Sequence, residues 1–120
     1  DLVYGHHAHV VQPMERINNK WAIYGLGNMI AAQQTPIDQT HEGLLVRVTF
    51  SQADDGSWST SDVAWVASLQ MDSAPFTWCA LGTGAVCSTP DRDLTALTRT
   101  TEAVNLLGAA EDGAHPLVGE

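Results

Sequence analysis

Leu2-Val3-Tyr4-Gly5-His6-His7-Ala8-His9 decides how this chain is read: an apolar run of strand-forming residues is stopped by a glycine and followed at once by three of the five histidines. A short β-type run cut off in this way delivers its next residues to the carboxyl end of a strand, where ligand groups collect in open α/β sheets. The imidazoles are therefore expected to line a crevice. Neutral histidine is the commonest metal-binding side chain, and two of them separated by one residue on a tight loop can address one ion or two adjacent ions. We read the cluster as a metal site. The competing readings are a histidine-rich surface loop and an expression tag. A tag is not normally interrupted by alanine and followed by Val10-Val11-Gln12-Pro13.

With its surroundings, the stretch resembles the CapA-type poly-γ-glutamate capsule synthesis family. Gly5-His6-His7-Ala8-His9-Val10, Gln12-Pro13-Met14-Glu15 and Tyr24-Gly25-Leu26-Gly27-Asn28-Met29-Ile30 stand where that family usually shows Gly-His-His-Pro-His-Val, Gln-Pro-x-Glu and Tyr-Ser-Leu-Gly-Asn-Phe-Ile. Ala8, Gly25 and Met29 depart from the pattern, and none of them removes a ligand. The family is similar to the calcineurin-like metallophosphoesterases, whose last metal motif is a histidine, one spacer and a second histidine after a glycine. The resemblance thus implies His7 and His9 as metal ligands, with His6, standing where the glycine would be, as a further candidate. Glu15, by its place in the motif, could hydrogen-bond a ligand histidine, against surface pairing with Arg16 or Lys20. The implied fold is α/β: the C-terminal part of a four-layer αββα sandwich, mainly antiparallel hairpins plus a C-terminal helix. The implied cofactors are divalent ions (manganese, zinc or iron, one or two), with most ligands outside this chain. The family's earlier motifs, Asp-x-His, Gly-Asp and Gly-Asn-His, do not occur here, so an N-terminal segment of the same protein is the expected partner. On this reading residues 1–108 are the C-terminal portion of the domain and 109–120 a frayed tail.

Fourteen acidic against five basic side chains give a formal charge of -9, which repels phosphate backbones and excludes nucleic acid as a natural partner. No apolar run approaches the roughly 20 residues needed to span a bilayer. Cys79 and Cys87 enclose a segment whose glycines, Gly82 and Gly84, let the ends meet. We favour a disulfide over two buried free thiols, and such a bond persists in an oxidising compartment.

Val10 to Ile17 and Trp21 to Leu26, parted by Asn18-Asn19-Lys20, read as a hairpin. Gly25, Gly27 and Asn28 form a small-residue stretch that permits close backbone approach and can bring Asn28 near the histidines, unless it is only a strand-ending turn. Gln33 to Thr40, around Pro36, reads as a loop. Gly43 to Phe50, with Leu44, Val46, Val48 and Phe50 on one face, returns through Asp54-Asp55-Gly56-Ser57 to Trp58–Leu69 as a second hairpin. Asp54-Asp55-Gly56 lacks the ligand spacing of a calcium loop and reads as a solvent turn. Asp72 to Pro90 reads as an ordered loop pinned by Phe76 and Trp78, packed in the core or stacked on a sugar or peptide. Thr89-Pro90-Asp91 opens a helix with the apolar stripe Leu94, Leu97, Thr101, Val104 and Leu107, ending before Gly108. His41 is expected at the surface, and His115 in the tail without a metal role.

The expected function is a CapA-like role in capsule or cell-envelope polymer (poly-γ-glutamate) metabolism, with hydrolase chemistry of the phosphoesterase kind only if the missing segment completes the site. The alternative is a non-catalytic cell-surface binding or assembly module of a polymer synthase complex. Either places the chain outside the cytoplasm, membrane-associated through an upstream segment, with envelope polymer or synthase components as partners.

Overall fold

A tight turn at Asn18-Asn19 sets the first sheet. Both asparagines take positive φ, 50° and 63°, as a two-residue hairpin turn of the I′ kind requires and asparagine tolerates. Ile17 therefore pairs directly with Lys20. In the computed structural model, which describes residues 1–32, 37–71 and 73–117, this turn joins β2 (Met14–Ile17) to β3 (Lys20–Ile23). β1 (Leu2–Tyr4) runs parallel to β3 on its other side, giving the order β1-β3-β2. The hairpin ladder reaches beyond the strand ends through the Tyr24 N–H to the Pro13 carbonyl (3.1 Å), the Gln12 N–H to the Gly25 carbonyl (3.0 Å) and a Val11–Leu26 bridge. Met14, Trp21 and Ile23 carry this sheet's share of the core.

The second sheet is built on the longer hairpin of β4 (Glu42–Gln52) and β5 (Trp58–Gln70), with β6 (Trp78–Ala80) antiparallel to β5. Residues 63–70 are buried without alternation, so both faces of inner β5 are covered. The register slips between Thr49 and Phe50, a β-bulge that bends and twists the ribbon. Beyond it the pair leaves the core. Phe50, expected on the apolar face with Leu44, Val46 and Val48, is 41% exposed, and Trp58 at the far end is 64% exposed.

Helix α1 (Pro90–Asn105) starts as its capping signals dictate. The Thr89 hydroxyl accepts from the Arg92 N–H (3.3 Å), Pro90 occupies the first turn, and Asp91 and Asp93 lie at the positive end of the dipole. Asp93 also accepts from the N–H groups of Cys87 (2.7 Å) and Ser88 (3.0 Å). This ties the helix start to the loop closed by the Cys79–Cys87 disulfide, whose Cα atoms are 5.6 Å apart. The buried row is Ala96, Thr100 and Val104, and of the expected stripe Val104 alone is fully buried. Leu97 and Thr101 flank it half-buried, while Leu94 is 64% and Leu107 47% exposed. Small residues let the helix approach closely, and pattern reading weighs size above contact. Leu107 lies past the helix end.

Three further expectations are corrected. The tail expected to fray from Ala109 is packed as far as it is described: Ala109 and Ala114 are buried, and β7 (His115–Pro116) pairs in parallel with Ala64 and Trp65 of β5. Phe76 is exposed and Trp78 half-buried, so these rings do not form a core. His41 is half-buried at the end of a single 3-10 turn, Asp38–His41, within the expected loop. Gln33 to Pro36 of that loop, Asp72 of the next and Val118 to Glu120 of the tail lie outside the described residues. The architecture is α/β, with mixed sheets and one α-helix among the described residues.

Candidate metal-binding site

The histidine loop is held at its root by the first sheet. As β1 ends, the Gly5 N–H bonds the Ile23 carbonyl (2.8 Å) and the Gly5 carbonyl accepts from the Leu26 N–H (3.3 Å). His7 and His9 then take φ of 80° and 59°, the left-handed region that destabilises a residue bearing a Cβ by about 1–2 kcal/mol. Strain of this kind gathers where a side chain must be aimed. All three imidazoles of the loop are exposed, and His6 meets the Tyr4 ring edge-on at 5.7 Å.

Asn28 decides the state of His9. Its side chain is buried (7% exposed), and its amide NH2 donates to the Thr40 carbonyl at 2.8 Å, which leaves the amide oxygen facing His9 Nδ1 at 2.8 Å. That oxygen can only accept, so Nδ1 carries the proton and the lone pair of a neutral imidazole sits on Nε2, free for a metal. Asn28 was the sequence candidate for a supporting role, and the structure brings it to the cluster.

The anchor behind Asn28 is the crossing where the two sheets meet. The Asn28 N–H bonds the Glu42 carbonyl (3.1 Å), the Leu44 N–H bonds the Leu26 carbonyl (2.8 Å), and Gly27 bridges Gly43. A Cβ on Gly43 would lie 2.3 Å from the Asn28 carbonyl oxygen, and one on Gly27 2.5 Å from that of Glu42. Only glycines allow this approach. The Glu42 carboxylate, 4% exposed, is gripped by Arg99 of α1 through Nε at 3.1 and 3.0 Å and through Nη2. That bond, more than the weaker pull of Asp38, raises the Arg99 pKa above its already high value. Thr40, Glu42 and Arg99 were not legible as site residues, because they lie 12 to 71 positions from Asn28 with no motif between them.

The other candidates are placed elsewhere. Glu15 accepts from the Tyr24 hydroxyl, holding that hydroxyl's pKa above its usual value, and Lys20 pairs with Asp1. His115 bonds Asp62 at 2.8 Å, with Arg47 at 3.6 Å from the same carboxylate, on the β4–β5–β7 side of the molecule. Beside His6 opens a cleft of about 480 Å³, lined by Leu2, Tyr4, Met29, Ile30, Leu44 and Val46 among others. Among the described residues no three His, Cys, Asp or Glu side chains converge on one point. Of the loop imidazoles, His9 is the one whose orientation Asn28 sets, and its Nε2 is a nitrogen donor of the kind a divalent ion takes.

No helix among the described residues is long and apolar enough to cross a membrane. No curated protein and no solved structure matches the chain. Residues 1–33 match the family model of the bacterial capsule synthesis protein PGA_cap. That match takes in the whole histidine loop, the first sheet and Asn28, so this segment is similar to capsule synthesis proteins.

Proposed function

We propose that this chain contributes the histidine half of a metal-dependent site in a protein of capsule or cell-envelope polymer metabolism, with poly-γ-glutamate as the polymer. The observation that carries this is the Asn28–His9 bond: a buried amide, itself locked by Thr40, presents the one imidazole tautomer whose outward nitrogen can bind a metal. The match over residues 1–33 supports the link to capsule synthesis. The two sheets and α1 form the C-terminal part of a four-layer sandwich, and a segment preceding Asp1 brings the remaining ligands to the loop. A divalent ion held there by His9 and His7 would supply Lewis-acid chemistry for a phosphoryl or acyl transfer. His9 and His7 would donate nitrogen lone pairs to it, Asn28 keeps the His9 proton on Nδ1, and His6 borders the apolar cleft. The disulfide supports work in an oxidising, extracytoplasmic compartment.

Metal analysis of the protein carrying its upstream segment tests this. Divalent metal should co-purify with it, fall in His7→Ala and His9→Ala, and fall about 10-fold in affinity in Asn28→Ala. Unchanged content in both histidine variants defeats the metal site. A complete protein that holds no metal would fit the assembly module instead.

A further inference from the structure

We propose that Arg99 is a positioning residue for the histidine site, acting through Glu42 and Asn28 on His9. The inference rests on reading His9 as a ligand. Every step of the path is a hydrogen bond. Arg99 reaches from α1 to both carboxylate oxygens of Glu42 (3.1 and 3.0 Å). The Glu42 backbone carbonyl accepts from the Asn28 N–H (3.1 Å), and the carbonyl of Thr40, two residues earlier, accepts from the Asn28 side-chain NH2 (2.8 Å). Asn28 then holds His9 Nδ1 (2.8 Å). Both carbonyls that orient Asn28 thus belong to residues 40–42, where the 3-10 turn passes into β4. That short stretch is clamped from the helix side by a two-point guanidinium grip on a buried carboxylate, a geometry that a planar fork supplies and a point charge does not. Among the described residues no hydrogen bond joins Arg99 or Glu42 to the histidine loop. Their effect is on which nitrogen of His9 bears the proton.

Long-range 15N–1H correlation of the histidine rings in the full chain, at a pH where imidazoles are neutral, reads that proton directly. Wild type should show His9 with the proton on Nδ1. In Glu42→Gln/Arg99→Gln, which leaves no buried charge unpaired and so avoids the penalty of removing one partner, this pattern should give way to a mixture with the Nε2–H form. Arg99→Lys, which keeps the charge but loses the fork, should lie between the two. The amide shifts of residues 62–69 in β5 should stay in place in both variants. A His9 pattern that is unchanged in the folded double variant overturns the proposal. So does a change that appears only together with shifts throughout β5, since the pair would then hold the fold and not the site. The tautomer is read without metal, so a His9 that proves to be no ligand leaves this result standing, and the two failures are distinct.

Discussion

Two left-handed residues that are not glycine, His7 and His9, flank Ala8. His7→Gly and His7→Ala both remove the imidazole, yet only glycine relieves the backbone, so the glycine variant should be the more stable by about 1 kcal/mol. Urea unfolding checks this, and equal stabilities would mean that the loop is not strained. A second residue-level consequence concerns Asp62 and His115. Their hydrogen bond holds the His115 imidazole above its ordinary 6.5 and the Asp62 carboxyl below 3.8. The histidine's share of stability is complete below 6.5 and lost as pH rises through its raised value. The carboxylate's share is present above 3.8 and lost as pH falls through its lowered value. The Tm deficit of His115→Gln should therefore be largest near about pH 5 and shrink above neutrality. It should be small, because both groups are exposed. A deficit that grows with pH would contradict the pairing. The histidine loop was legible because its residues are neighbours in sequence. The Asp62–His115 bond, spanning 53 positions, was not.

Elements were legible where local chemistry sets them. The Asn18-Asn19 turn, the Asp54–Ser57 turn, the Thr89-Pro90 helix start and the Cys79–Cys87 closure all follow from short-range rules. The face of α1 was read in part: Val104 is buried and Leu97 and Thr101 half-buried as expected. Partner shape, absent from the chain's own pattern, put Ala96 and Thr100 at the contact in place of Leu94 and Leu107. Ala96 is 1% exposed and Leu94 64%. Enlarging Ala96 to Leu should therefore destabilise by roughly 1–3 kcal/mol through overpacking, whereas truncating Leu94 to Ala should stay within about 0.5 kcal/mol. Chemical denaturation separates the two. The reverse ranking would restore the leucine stripe.

At the scale of the whole molecule, the alternating and continuous apolar runs announced an α/β chain, but nothing in them located the crossing at Gly27 and Gly43, since two sheets meet by long-range backbone contact. Nor did they foresee its shape, 51 Å long against 29 and 25 Å across. Residues 51–59 of the β4–β5 ribbon are exposed throughout. The tip turn at Asp54–Asp55 is therefore open to a protease that cleaves after acidic residues. Cutting there would divide the chain into one piece with β1 to β4 and another with β5 to β7, α1 and both cysteines, so no covalent link would remain. The register from Glu42↔Leu69 to Thr49↔Asp62, the Arg99–Glu42 clamp and the shared core all lie on the far side of the bulge from the cut. The nicked protein should elute as one species with its circular dichroism intact, and separation of the pieces on gel filtration would show that the ribbon itself holds the halves together. If they stay joined, this chain is a natural two-part complementation system, in which the histidine loop and the arginine that steadies it can be supplied on separate polypeptides and reassembled by mixing.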